Sequence, residues 1–305
     1  MQYFIWKRYC AENLYLKAVS IHLPAVTIEK TINYKRLLRY LDKSTILNGL
    51  NAKYYFKSGN TYLKIAQEKF EEMLGLTENA DGLAKTQFLA AITLDPARGV
   101  YHFSLAKALL LLSEPENAQR EFLKAEKLDF SNASIHYDIA KYYIAIPDRH
   151  KEALREYKRA LYFADTKLRS SILDDLYDNY TSDYKTLSKI VPNTDYSRYS
   201  FAELLREKKQ FTESLKEFKK TIALTDININ KHLKSEALNW TAIIYLWQGK
   251  FGLAVEYFNK AISLSQDKVA RAWMFHNLGN TYLKIGETEK AKEAFERSGP
   301  SWEKK

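Results

Sequence analysis

The sequence has almost nothing that would cross-link or interrupt a chain. With one cysteine, Cys10, in 305 residues, neither an internal disulfide nor a cysteine-rich metal site can be built. Six prolines and ten glycines are too few for a collagenous or low-complexity chain and favour long ordered helices. No run of about 18 apolar residues occurs, so no segment reads as a membrane span. MQYFIW is too short for the apolar core of a secretory signal, and its basic pair follows rather than precedes it. A short aromatic run followed by Lys-Arg is also what remains when a chain is cut just after a span, which leaves two settings open. One is a free-standing cytoplasmic protein and the other a membrane-associated fragment.

Catalytic signatures are missing as well. The sequence has no G-x-G-x-x-G, no G-x-x-x-x-G-K-[ST], no G-x-S-x-G and no H-E-x-x-H. Adjacent acids such as Asp174-Asp175 and Glu71-Glu72 diverge on a helix and cannot share a site. His22, His150 and His232 have no ligand spacing. The expectation is a chain without catalytic residues, cofactor, metal or small-molecule substrate.

What is present is apolar and basic. Hydrophobic residues make up 46% and charged residues 28%, with a net charge of +10. Residues 1–60 hold ten Lys/Arg against three acids, a skew that points to an anionic neighbour: a membrane surface, nucleic acid or an acidic partner. Tyr34, Tyr40, Tyr54 and Tyr55 interleave with these cations, but no nucleic-acid module is recognisable, so nucleic acid is disfavoured.

Apolar and small residues recur at helical spacing. In Ala272 to Ser298 one face carries Phe275, Leu278, Gly279 and Tyr282; after Gly286 a second carries Ala291, Phe295 and Ser298. GNTYLKI, at Gly279 to Ile285, also stands at Gly59 to Ile65. Ala84, Phe88, Ala91 and Asp95-Pro96 follow that earlier copy. Its first helix is expected to run on to Leu76, because thirteen additional residues separate it from its partner. A unit from Gly99 has Leu105, Ala106, Leu109, Ala118, Phe122, Ala125 and Phe130, and the next starts 34 residues later at Ala133. Further units carry Phe201, Ala202, Leu205 and Phe218, then Leu238, Ala242, Tyr245, Ala254, Phe258 and Ala261.

This pattern resembles the tetratricopeptide repeat (TPR), a 34-residue helix-turn-helix with W-x2-L-G-x2-Y and A-x3-F-x2-A at its close contacts. Repeat positions are counted with Ala272 as position 1. The resemblance implies an all-α solenoid, a right-handed superhelix of stacked helix pairs. Residues 1–50 read as a basic, degenerate N-terminal unit or cap, with helices from about Gln2 to Ile21, before Pro24, and from Thr27 to Leu41. Residues 51–165 and 195–305 read as repeats, and 166–194 as a compressed, irregular helical pair ending at Pro192. The C-terminal SWEKK lacks the solvating last helix usual in such solenoids.

In the family, positions 2, 5, 9 and 12 of each first helix line a concave groove that holds a protein or peptide partner. Position 5 reads Phe56, Phe103, Tyr137, Tyr199, Asn239 and His276; position 9 includes Asn60, Lys107, Lys141 and Asn280. The expected groove is thus an aromatic ladder flanked by lysines, suited to an extended segment. The opposing expectation is that the rings fill the inner bend as core. Trp273 and Trp247, at positions 2 and 13, extend the groove or pack between repeats. The carboxylate clamp of chaperone-binding members is not supported: Asn60 matches, but Phe56, Ser104, Ser134 and Asp138 occupy other clamp positions. His102 and His136 share position 4, where the consensus places Trp, and read as packing residues.

A second resemblance covers residues 3–20, 94–110 and 183–224. They look like the repeat tail of bacterial envelope glycan proteins of the O-antigen ligase or polymerase type. It implies a soluble, membrane-proximal module that is not itself a catalyst. The primary expectation is a binding scaffold.

Overall fold

The computed structural model describes residues 2–23 and 27–299, so Pro24 and residues 300–305 lie outside what is described below. Among the described residues every regular element is a helix. The chain divides into two units, residues 1–135 and 136–305.

The first unit opens with α1 (Gln2–Val19) and α2 (Thr27–Leu47), which pack together through Ala18, Leu37 and Leu41. α2 extends a turn and a half past the expected Leu41. Then come α3 (Ala52–Glu68), the single turn α4 (Glu71–Leu74) and α5 (Ala80–Leu94). α6 (Gly99–Leu111), α7 (Pro115–Leu128) and the start of α8 (Ala133–Ile144) complete the unit. α3 pairs with α5, and α6 with α7.

The expected continuous helix to Leu76 is not formed. Lys69 adopts a left-handed conformation (φ 57°), and the Phe70 amide donates to the Ile65 carbonyl, closing the end of α3. The inserted residues fold back so that Phe70 meets the buried Tyr34 at 5.8 Å, while Leu74 and Ala80 join Tyr34, Leu38 and Ile65 in one cluster. Burying Phe70 and Leu74 outweighs what further helical hydrogen bonds would add. Phe130, which matches the repeat pattern, is 68% exposed in the turn after α7.

The second unit contains α9 (His150–Phe163), α10 (Thr166–Asp175) running into a π-turn at Leu176–Tyr180, and α11 (Tyr184–Ile190). It continues with the pairs α12 (Asp195–Glu207) and α13 (Phe211–Leu224), α14 (Lys231–Trp247) and α15 (Phe251–Leu264), and α16 (Lys268–Ile285) and α17 (Thr288–Ser298). Asp165, Asp183, Thr194, Asn230 and Asp267 cap their helices through side-chain oxygens.

The turn that follows the first helix of each of these pairs holds one residue at positive φ. Its positive-φ residue is Lys69, Ser113, Asp148, Lys209, Gly249 or Gly286. Glycine adopts that conformation without strain at the last two turns, whereas the other four pay for a Cβ there. Close approach is set at position 8. A Cβ on Gly59 would lie 2.6 Å from the Phe88 ring, and one on Gly279 2.7 Å from that of Phe295. No helix among the described residues is long and apolar enough to cross a membrane.

Candidate binding site

Within each pair, the position-5 ring faces the aromatic residue of its own second helix. In the first unit Phe56 lies 6.0 Å from Phe88, and Phe103 5.9 Å from Phe122. In the second, Tyr137 lies 6.1 Å from Tyr157, Tyr199 5.6 Å from Phe218, and His276 5.5 Å from Phe295. Phe103 and Asn239 are 8% and 3% exposed, so they offer a partner almost no surface. Phe56, Tyr137, Tyr199 and His276 keep part of their surface in solvent, as do Asn60 and Asn280. The position-9 lysines cover rings one turn earlier: Lys107 Nζ lies 5.4 Å from the Phe103 centroid and Lys141 Nζ 5.1 Å from that of Tyr137. The expected ladder is therefore largely packed within the helix pairs, with Phe56 also reaching the next pair at 4.6 Å from Tyr101.

The position-4 histidines are paired with buried or nearly buried acids. His102 Nδ1 is 2.6 Å from Glu121 Oε2, and His136 Nδ1 is 2.7 Å from Glu156 Oε2. Arg198 takes the same position in its pair and donates to Glu217 at 3.0 Å. A basic group at position 4 with Glu 19 or 20 residues later replaces the consensus tryptophan. That spacing was readable in the sequence. Among the described residues no group of three His, Cys, Asp or Glu is placed to hold a metal ion.

A concave site forms in the second unit, from residues other than most of the expected ones. Arg206 of α12, Trp240, Ile243, Leu246 and Trp247 of α14, and Trp273 and Asn277 of α16 enclose about 270 Å³. The Arg206 guanidinium lies 4.1 Å from the Trp240 centroid, and Trp240 meets Trp273 edge-on at 6.3 Å. Phe211 holds Trp247 at 5.2 Å. Arg206 Nε and Asn277 Nδ2 are buried without a hydrogen-bond partner in the chain. One turn before Arg206, burial raises the Glu203 carboxyl above its ordinary value, with Arg206 opposing. Burial, then Glu203 and Glu236, raise the Tyr199 hydroxyl.

Of the residues named for the expected groove, Trp273 and Trp247 line this pocket. Its walls come from positions 2, 6, 9, 12 and 13, whereas position 5 turns into the helix pair. Reading positions 6 and 12 along the sequence would have picked out Trp240 and Arg206.

Residues 233–298, which include most of these walls, match the family model described as tetratricopeptide repeat. Residues 233–298 carry tetratricopeptide repeats. Over 89 residues the chain is 30% identical to outer dynein arm-docking complex subunit 4 of Xenopus laevis, a stretch that is 29% of this chain and 17% of that protein. The chain thus spans less than a fifth of that relative's length. Among solved structures, yeast Tom70 is similar at 20% identity over 94% of this chain and 60% of that one, with a TM-score of 0.39. The C-terminal part of a TPR repeat-containing protein from Cytophaga hutchinsonii is similar at 13% identity over 97% and 93%, with a TM-score of 0.40.

Proposed function

We propose that this TPR chain is a protein-interaction scaffold whose second unit grips a partner segment at the tryptophan pocket. TPR proteins are in general non-catalytic scaffolds, and the Xenopus relative is named as a subunit of a docking complex. The observation that carries the reading is the pair of unpartnered donors, Arg206 Nε and Asn277 Nδ2, beside three indoles. A buried donor left unmade costs about 1–3 kcal/mol. A main-chain carbonyl of an extended segment would satisfy such donors while its neighbouring apolar side chain displaces water from the indoles. The volume, about 270 Å³, falls just below the usual range for small-molecule sites, roughly 300–1,000 Å³. It suits one large side chain. The exposed parts of Tyr199, His276 and Asn280 extend the contact within this unit, and Phe56, Asn60 and Lys107 offer a separate surface in the first.

The test is selection of peptides from a random library on the full chain, followed by titration of the winners against tryptophan emission. Winners should share a large apolar residue and bind the folded Arg206→Ala and Asn277→Ala variants about tenfold more weakly, one hydrogen bond to a charged or buried donor each. Winners that bind both variants as tightly as the parent would refute the assignment.

A further inference from the structure

The first unit carries a surface of a different kind. Within its first turns α1 carries three consecutive apolar side chains, Phe4, Ile5 and Trp6, which are 71%, 62% and 57% exposed. Consecutive residues lie about 100° apart around a helix, so these three side chains fan out around this end of α1. Tyr9, one turn beyond Ile5, is 66% exposed. Folded chains seldom leave apolar side chains so concentrated at one place without a use.

Cations adjoin this tip. Arg8 lies one turn beyond Phe4 and Ile5, between the directions in which those two side chains leave α1. Arg8 in turn lines a cavity of about 420 Å³ with Lys53 from the first turn of α3 and Arg98 just before α6. Leu50, on the same wall, is 77% exposed. Asp95 is the one acid lining the cavity, and Arg98 holds it at 3.0 Å. The wall therefore carries a net positive charge, in the part of the sequence where ten Lys/Arg face three acids.

We propose that this end of the first unit docks on an anionic phospholipid surface. Phe4, Ile5, Trp6 and Tyr9 enter the boundary between headgroups and acyl chains, and Arg8, Lys53 and Arg98 meet the headgroup phosphates. Both halves of the surface are needed to choose this occupant. A single-stranded nucleic acid would stack bases on the rings and use the cations but leave the aliphatic Ile5 and Leu50 in water, whereas a bilayer boundary takes up aliphatic and aromatic side chains beside cations. The proposal does not depend on the tryptophan pocket.

The experiment is sedimentation of the full chain with vesicles of phosphatidylcholine alone and with vesicles in which about a third of the lipid is phosphatidylserine. The chain should sediment with the second and not the first. Arg8→Ala/Lys53→Ala/Arg98→Ala, with helicity checked by circular dichroism, should weaken binding about a hundredfold, roughly fivefold per cation. If that variant does not fold, Arg8→Ala alone should still cost about fivefold. Trp6→Phe should keep binding but lose part of the blue shift of tryptophan emission on anionic vesicles. Absent sedimentation, equal sedimentation on both vesicles, or binding unchanged in the charge variants would overturn the proposal. So would an RNA oligonucleotide that displaces the vesicles and binds Phe4→Ser/Trp6→Ser as well as the parent.

Discussion

The Phe88 ring occupies the space that a Cβ on residue 59 would need, at 2.6 Å. The same relation holds between Gly279 and Phe295 at 2.7 Å, and in both cases the colliding atom belongs to a ring locked between two helices. Gly59→Ala and Gly279→Ala should each destabilise the fold by about 1–3 kcal/mol, the usual cost of overpacking, despite alanine's better helix propensity. Urea unfolding followed by circular dichroism measures this. An unchanged midpoint in both variants would show that the helices can separate at no cost.

The His136–Glu156 pair makes stability depend on pH. Burial alone would raise the Glu156 carboxyl, but the hydrogen bond with His136 and the guanidinium groups of Arg155 and Arg159 outweigh it and hold the carboxyl below its ordinary value. A carboxyl lowered in the folded state stabilises fully above its unfolded pKa, about 4.3, and loses that contribution as pH falls through the folded value. Glu156→Gln should cost about 3 kcal/mol at neutral pH and lose less further stability on acidification than the parent. Parallel stability curves for the two proteins below about pH 5 would contradict this.

Lys209 holds a positive φ of 62° at the turn between α12 and α13. Lys209→Gly should raise stability by about 0.5–1 kcal/mol, the left-handed penalty less the added entropy of the unfolded chain. Gly249 already stands at the corresponding turn of the next pair. The urea midpoint should move upward; a fall would mean that the lysine side chain contributes more than its backbone strain.

Phe70 anchors the inserted turn between α3 and α5. It packs on Tyr34 at 5.8 Å and lies beneath Lys30, whose Nζ is 5.3 Å from the ring centroid. Phe70→Ala should cost about 3 kcal/mol and speed amide exchange chiefly in α2 and α4. Faster exchange spread evenly over both units would argue against so local a role.

The sequence pattern made the helix pairs legible, because Gly59, Ala84 and Phe88, or Gly279, Ala291 and Phe295, sit at contacts that admit few residue types. It misjudged the insertion after α3, since helical periodicity continues through Phe70 and Leu74 and only their packing on Tyr34 shows that the chain turns back. Position-5 rings carry no mark in the sequence of which way they turn. An amphipathic aromatic reads the same whether it faces a partner or Phe122. The tryptophan pocket was hidden for another reason: its walls come from three helices at five different repeat positions, so no single column of the repeat displays it.

Side-chain hydrogen bonds that tie helix to helix span short stretches of sequence, such as Tyr34 to Glu68, 34 residues apart, and Tyr54 to Glu12, 42 apart. Little entropy is spent closing such loops, so each hairpin can form soon after it leaves the ribosome without waiting for distant segments. The same economy explains how thirteen extra residues fit between α3 and α5: splicing into a chain of neighbourly pairings disturbs one hairpin and spares the rest.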